Sequence, residues 1–189
     1  MIKFGERLPD ASTDFTYCSE KFLDKPILRR LACIAAKNKI FVSANMLDVQ
    51  PFTPSPELHS SPDNFLIHNT QVLFDREGRL IAKYHKINLF NEAQKDVDYN
   101  QKPVFVDTEI GRLGLSICFD ILFSRPSHEL VVNKMIDTLL LPTWWLDGLP
   151  FLQASQVQAA FATGHKINLI ASNIHNVSVS IVILFLICK

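Results

Sequence analysis

Apolar and polar positions alternate along the chain with periods that predict both helices and strands. In residues 25–38 apolar side chains recur three to four positions apart, which predicts a helix with one buried face. Pro26 suits the first turn of such a helix. Residues 39–45 are rich in β-branched and aromatic side chains and predict a buried strand. The residues expected on the buried helix face are Ile27, Leu31, Ile34 and Ala35.

Two β-hairpins are predicted in the middle of the chain. Residues 67–90 form two apolar stretches joined by a polar turn at 75–78. A second hairpin is predicted over residues 103–118, with its turn at 109–111. The proline-rich segment 49–64 is predicted to be a loop, and the polar segment between the hairpins is predicted to be another.

The pattern changes after residue 118, where strands and helices alternate. Helices are predicted over residues 126–135 and 150–163, and each is followed by a strand, over 137–143 and 167–173. This order implies βαβ crossovers and therefore a parallel part of a sheet. The sequence predicts an α/β fold with a mixed sheet, βαβ units and hairpins.

Composition excludes several classes of function. The chain has 189 residues, of which 48% are apolar and 20% charged, a balance typical of one globular domain. Lys+Arg and Asp+Glu number 19 each and no basic block stands out, which argues against a nucleic-acid partner. The first ten residues lack the apolar stretch of a signal peptide. The apolar run from Ile181 to Cys188 is too short to span a bilayer, which needs about 20 residues.

The four cysteines do not form a metal-binding pattern. None forms a C-x-x-C pair or lies near a histidine at zinc-ligand spacing, so no metal site is predicted. Cys18 and Cys33 could form a disulfide in a secreted protein, and the sequence leaves this open.

Cys118 and Lys86 are the first candidates for chemistry. Cys118 ends a predicted strand that leads into a loop and a helix, a position where α/β proteins present nucleophiles. The alternative is a small buried apolar residue, since free cysteines are often buried. Lys86 closes an otherwise apolar strand, either as a surface charge or as a cation in a cleft. His85 beside it would then face the other side of the sheet. Glu92 is a cleft residue or a solvated surface carboxylate.

Further polar and aromatic residues follow the later strands. Trp144 and Trp145 come after one strand, and Asn173 and His175 end or follow the next. Each either lines a pocket at the rim of the sheet or packs against the fold.

Four segments together resemble a known family. "YHKINLFNE", "GLSICFDILF", "LLLPTWW" and "NLIASNIHN", in this order and spacing, resemble the nitrilase (carbon–nitrogen hydrolase) superfamily, in particular its branch of biotinidase and the vanin pantetheinases. The resemblance covers residues 5–176 as a partial hydrolase domain, whereas 177–189 form a divergent apolar tail. It implies part of a four-layer αββα sandwich.

The resemblance also implies site residues and a reaction. Cys118 matches the nucleophile, Lys86 the lysine that stabilises the oxyanion, and Glu92 a glutamate that orients this lysine. The backbone N–H of Phe119 is expected to be a second oxyanion donor. No cofactor or metal is implied. Residues expected at the substrate are Trp144, Trp145, Asn173 and Asp120.

One departure from the family's pattern leaves two hypotheses for the function. The general-base glutamate of the family's triad belongs to an earlier strand, and we expect it to be absent from this chain. Glu6 lies in a proline-containing loop stretch and is not assigned this role. The first hypothesis is an amidohydrolase that cleaves a linear carboxamide, pantetheine-like or biotinyl, through a cysteine thioester. The alternative is a truncated, inactive homologue that is a binding module or has no function.

Partners and location follow from the resemblance alone. It implies a small-molecule amide as partner, allows a dimer, and implies an extracellular or membrane-anchored protein, with any anchor outside this sequence. The sequon that begins at Asn176 predicts a glycosylation site.

Overall fold

The computed structural model describes residues 5–52, 65–133, 135–145 and 153–173, and the backbone of 185–187. The chain divides into two compact units, Met1–Tyr99 and Asn100–Lys189, called here the N-terminal and C-terminal units. Each unit contains one β-sheet.

The sheet of the N-terminal unit has four strands in the order of the chain. β1 and β2 are parallel, whereas β2–β3 and β3–β4 are antiparallel. The second and third strands are the longest, because their residues pair along ten positions. The strands are β1 (Gly5–Glu6), β2 (Val42–Pro51), β3 (Phe65–Phe74) and β4 (Leu80–His85).

Helix α1 (Pro26–Asn38) packs on one face of this sheet. Its existence and the proline in its first turn were predicted correctly, but the predicted buried face was only partly correct. Ala35 is buried and Leu31 packs against the core, whereas Ile27 and Ile34 are 37% and 41% exposed. Two apolar stripes lie side by side on this helix, and their spacing alone does not select the buried one. The buried stripe consists of Leu28, Ala32 and Ala35.

Glu6 caps the start of α1. Its carboxylate accepts hydrogen bonds from the backbone N–H groups of Ile27 (2.6 Å) and Leu28 (3.0 Å), which have no acceptor inside the helix. Both oxygens of Glu6 are therefore committed to the helix.

The first predicted hairpin is confirmed, with its turn at residues 75–78. Gly78 has φ +75°, and a Cβ there would lie 2.6 Å from the carbonyl oxygen of Ala32. The predicted start of the preceding loop was wrong, because β2 continues to Pro51, which pairs with Phe65. That strand extension depends on a partner distant in sequence, which local composition does not reveal.

The C-terminal unit has a five-stranded sheet in the order β5-β6-β7-β8-β9. β5 and β6 form the second predicted hairpin, and β6, β7 and β8 are parallel, as the predicted βαβ crossovers require. β9 adds an antiparallel edge to β8, so the apolar tail contributes a strand. The strands are β5 (Phe105–Thr108), β6 (Gly111–Leu115), β7 (Thr138–Thr143), β8 (Asn168–Asn173) and β9 (Phe185–Ile187).

The crossover helices differ in length from the predictions. α2 is only Glu129–Val132, because residues 124–128 form an irregular turn in which Arg125 has extended backbone angles. α3 is Ala154–His165, and the predicted start at 150–152 lies outside the described residues. Within the part of the chain that the structure describes, no helix is long and apolar enough to cross a membrane.

A disulfide joins Cys18 to Cys33, a pairing that the sequence left open. It links the segment before α1 to the middle of that helix, and the two Cα atoms are 4.6 Å apart. The bond closes a loop with a sequence separation of 15 residues, within the N-terminal unit.

Removing this disulfide should destabilise the protein. For the double variant Cys18→Ala/Cys33→Ala we expect a loss of about 3 kcal/mol in the free energy of unfolding, since the cross-link restricts the unfolded chain. Denaturant titration with and without reductant measures this. Reductant should weaken the parent protein but not the variant; equal stability of the two under oxidising conditions would contradict the prediction.

Candidate functional site

Cys118 lies at a sharp turn in the C-terminal unit. It follows the end of β6 and begins a short 3₁₀ helix, Cys118–Leu122. Its φ of +47° is in the left-handed region, which costs a non-glycine residue about 1–3 kcal/mol. Such backbone conformations cluster at functional sites. Its side chain is partly exposed, and it is the one free cysteine among the described residues.

Buried polar contacts hold this turn in place. The carboxylate of Asp120 is fully buried and accepts a hydrogen bond from the N–H of Ile117 (3.0 Å). The hydroxyls of Ser116 and Ser127 form a buried hydrogen bond of 2.6 Å. Asp120 therefore shapes the turn that presents Cys118. Its predicted contact with substrate stays a prediction, which this burial does not support.

Phe119 is the residue whose N–H was expected to stabilise an oxyanion. It is the second residue of the 3₁₀ helix, and its ring packs edge-on against Phe123 with centroids 5.0 Å apart. The position is compatible with the predicted role, which stays a prediction.

Trp145 and Asn173 are joined at the ends of β7 and β8. The side-chain amide of Asn173 accepts from the N–H of Trp145 (2.9 Å) and donates to its carbonyl oxygen (3.0 Å). The Trp145 side chain packs against the core of this unit, whereas Trp144 is 65% exposed. Asn173 thus organises the rim of the sheet. Contacts of these residues with substrate stay predictions, and His175 and Asn176 lie outside the described residues.

Lys86 and Glu92 form a buried ion pair in the N-terminal unit. Lys86 follows the last residue of β4 and is only 2% exposed. Its ammonium donates a hydrogen bond to Oε1 of Glu92. The other oxygen, Oε2, accepts from the side-chain amide of Asn69 at 2.6 Å. The two residues that the resemblance links are in direct contact.

The electrostatic environment favours the ionised form of Glu92. Burial alone raises the pKa of this carboxyl. The hydrogen bonds from Lys86 and Asn69 and the charge of Lys86 lower it more, so that the pKa lies below its ordinary value. Glu92 is therefore a carboxylate at neutral pH and an anionic partner for the buried lysine.

His85 lies on the opposite face of the sheet, as the alternation of strand side chains predicts. Its Nε2 is 2.9 Å from the fully buried carboxylate of Asp48, and its ring stacks on His68 with centroids 4.1 Å apart. Burial lowers the pKa of His68, and the charge of His85 lowers it further. This face also borders a cavity of about 560 Å³, lined in part by Lys83 and His85. His85 is thus separated from the Lys86–Glu92 pair.

Sequence reasoning missed Asn69 and Asn45. The amide of Asn45 donates to Oδ1 of Asn69 at 2.6 Å, and Asn69 in turn contacts Glu92. The sequence offers only a weak signal for Asn69, because its position on the same sheet face as Lys86 can be recognised only when the register of β3 and β4 is known. Among the described residues, no cluster of three or more His, Cys, Asp or Glu side chains could hold a metal ion.

The comparison with known families identifies the lineage. The sequence model described as carbon-nitrogen hydrolase matches residues 8–141, a segment that includes Lys86, Glu92 and Cys118. This chain belongs to the carbon–nitrogen hydrolase family. The family prediction is therefore confirmed.

Curated relatives cover most of this chain. It is 41% identical over 176 residues to the pantetheinase of Mus musculus, covering 92% of this chain and 34% of that protein. It is 40% identical over 152 residues to the biotinidase of Takifugu rubripes, covering 79% and 30%. The chain thus spans about a third of the length of the curated relatives it matches.

Solved structures confirm the fold class. A nitrilase superfamily member from Saccharomyces cerevisiae aligns with a TM-score of 0.63 at 21% identity, covering 82% of this chain and 53% of that one. An amidase from Nesterenkonia aligns with a TM-score of 0.59 at 23% identity, covering 85% and 55%. The mixed α/β architecture is that of part of the nitrilase fold.

Replacement of Glu92 should reveal the ion pair in the pH dependence of stability. For Glu92→Gln we expect a loss of about 2 kcal/mol near neutral pH, because the buried lysine loses its counter-charge. The folded-state pKa of Glu92 is lowered, so its contribution is complete above the ordinary pKa of glutamate and disappears as the pH falls through the lowered value. The difference between parent and variant should therefore shrink in acid.

Denaturant titrations between neutral and acidic pH measure this difference. Glu77→Gln is the matched control, because Glu77 is exposed and its ion pair with Arg79 lies at the surface. It should change stability little at any pH. A constant loss for Glu92→Gln across the whole range would show that the ion pair is not its cause.

Proposed function

We propose that this chain carries the nucleophile of an amidohydrolase that cleaves a carbon–nitrogen bond of a small linear carboxamide. The observation that carries the proposal is Cys118, a partly exposed thiol in left-handed conformation at the end of a parallel strand, inside a segment that matches the carbon–nitrogen hydrolase family. A nucleophile on a strained turn between a strand and a helix is the arrangement used in several hydrolase folds.

The reaction would proceed through a thioester. The Cys118 thiolate attacks the carbonyl carbon of the amide, and the C–N bond breaks as the amine leaves with a proton. Water then attacks the thioester, which releases the carboxylic acid and restores the thiol. Water is the only co-reactant that the hydrolysis requires.

The resemblance to the family supports two proposed roles in charge stabilisation, one for the Lys86 ammonium and one for the Phe119 N–H. An oxyanion donor of either kind typically contributes about 3 kcal/mol. Glu92 holds the ammonium in one position through the contact described above. Trp144, Trp145 and Asn173 are proposed to contact the substrate.

The proposed substrate class follows the similar proteins. Pantetheinases and biotinidases are among the curated relatives, so a pantetheine-like or biotinyl amide is the substrate we propose to test first. The alternative is an inactive binding module. Both oxygens of Glu6 cap α1, so this glutamate is not proposed as a general base.

The same relatives and the disulfide support a location in an oxidising compartment. Disulfides persist in secreted and extracellular proteins and are rare in the cytosol. The Cys18–Cys33 bond therefore supports an extracellular or membrane-anchored protein. A dimer remains a prediction from the resemblance.

Covalent modification of Cys118 tests the proposal. A mutant of an amidase from Nesterenkonia has been solved with the acetamide moiety of fluoroacetamide added at its active-site cysteine. Incubation of this chain with fluoroacetamide should add one acetamide group at Cys118 as fluoride leaves, and peptide mass spectrometry locates it. Cys118→Ser should abolish the adduct. Lys86→Met should slow hydrolysis of a pantetheine-like or biotinyl amide on the order of a hundred-fold, because that reaction passes through the oxyanion.

The matched control is Cys188→Ser, which replaces another cysteine and should leave the modification intact. The proposed amidohydrolase site is wrong for this chain if fluoroacetamide modifies Cys118 no faster than it modifies the thiol of a short peptide. It is also wrong if Lys86→Met does not change the rate of amide hydrolysis.

A further inference from the structure

Strand β3 holds both members of the Lys86–Glu92 pair through one residue. The backbone N–H of Lys86 donates to the carbonyl oxygen of Asn69 at 2.8 Å, the first hydrogen bond beyond the end of β4. The side chain of Asn69 donates to Glu92 at 2.6 Å. A single residue therefore contacts the main chain of the lysine and the carboxylate of the glutamate.

The loop that carries Glu92 is attached to the same strand at its far end. The N–H of Asp96 donates to the carbonyl oxygen of Ile67 (2.8 Å), and the Asp96 carboxylate accepts from the N–H of Ile67 (2.7 Å). The loop follows β4 and is hydrogen-bonded to β3 at two residues, Asn69 and Ile67. Glu92 lies between these two attachments, and Asn69 is the attachment that also contacts its carboxylate.

The amide of Asn69 has a defined orientation. Asn45 donates to its Oδ1, and only the opposite end of the amide, Nδ2, carries hydrogens for Glu92. Because a carboxylate only accepts hydrogen bonds, a flipped Asn69 amide would place its oxygen against Glu92, so the contact with Glu92 selects the orientation and the exposed Asn45 amide matches it. Oε2 of Glu92 accepts from Asn69, whereas Oε1 accepts from Lys86 and, at 3.4 Å, from the N–H of Phe90.

We infer that Asn69 is a positioning residue that fixes the Glu92 carboxylate and thereby the Lys86 ammonium. This inference rests on the proposed function for its catalytic consequence. Without the amide, Oε2 of Glu92 loses its hydrogen bond, and only the contacts of Oε1 with Lys86 and with the N–H of Phe90 hold the carboxylate, so the ammonium is positioned less firmly. Oxyanion stabilisation depends on donors already in place, so the reaction rate falls although substrate binding does not.

The test uses Asn69→Leu, which has a similar size and cannot donate. Carbon-13 NMR titration of Glu92 in the full chain is the first readout, because it requires no activity. The pKa of Glu92 should rise relative to the parent, since one hydrogen bond that lowers it is removed. Ser43→Ala is the matched control: it removes the hydrogen bond to Gln71 on the same sheet face and should leave the Glu92 titration unchanged.

The second readout is the rate of hydrolysis of a pantetheine-like or biotinyl amide, a reaction that passes through the oxyanion. We expect the maximal rate to fall about ten-fold in Asn69→Leu, as for the loss of a hydrogen bond to a charged group. The amide concentration that gives half the maximal rate should not change. If Asn69→Leu does not fold, Asn69→Ala replaces it, because the smaller side chain removes the same donor.

The outcomes separate the two proposals. An unchanged Glu92 titration in both asparagine variants overturns the positioning role, whatever the activity. A shifted titration with an unchanged rate of amide hydrolysis also overturns it, because the change at the carboxylate is then without consequence for the reaction. A parent protein that does not react at Cys118 refutes the proposed function, while the titration still decides whether Asn69 positions Glu92.

Discussion

A buried ammonium requires compensation, and much of the N-terminal unit supplies it. Removing a charged group from water costs several kcal/mol unless a counter-charge and hydrogen bonds replace the lost solvation. Lys86 is almost fully buried, so its partner Glu92 must be held rigidly against it. The end of β4, the loop attached to β3 and the amide of Asn69 all contribute to that arrangement. The location of the ion pair is thus a consequence of sheet register as well as of two residues.

The two faces of this sheet carry different chemistry because adjacent strand residues point in opposite directions. Lys86 and Asn69 lie on one face, while His85 and Asp48 lie on the face that also packs α1. The histidine next to the lysine in sequence therefore cannot serve as its neighbour in space. Burial raises the pKa of the Asp48 carboxyl, but the hydrogen bonds from His85 and from the N–H of Leu8 and the charge of Lys83 together lower it below its ordinary value.

Sequence patterns predicted the features that depend on local order. The hairpin turn at Gly78 and the parallel order of β6, β7 and β8 follow from turn residues and from the alternation of strands and helices. The buried face of α1 and the full length of β2 did not, because each depends on which distant residues pack or pair with it. Asn69 was missed for the same reason, because its contact with the Lys86–Glu92 pair can be predicted only when the register of β3 and β4 is known. The resemblance to a family supplied the pair of Lys86 and Cys118, which spacing alone did not.

The backbone at the proposed nucleophile carries a physical cost that a buried contact offsets. The left-handed backbone at Cys118 is offset by the Asp120 carboxylate, which bonds the preceding N–H and is fully buried. A turn stabilised in this way presents its thiol in one direction before any substrate arrives, which is the property that nucleophilic catalysis needs. Glu6 shows the opposite case. Its carboxylate stabilises the start of α1 with both oxygens, and accepting a proton from a substrate would require breaking that cap. The groups that a carboxylate already binds therefore limit the chemistry it can perform. By this criterion Glu92 is the ion-pair partner of Lys86, and Glu6 is a helix cap.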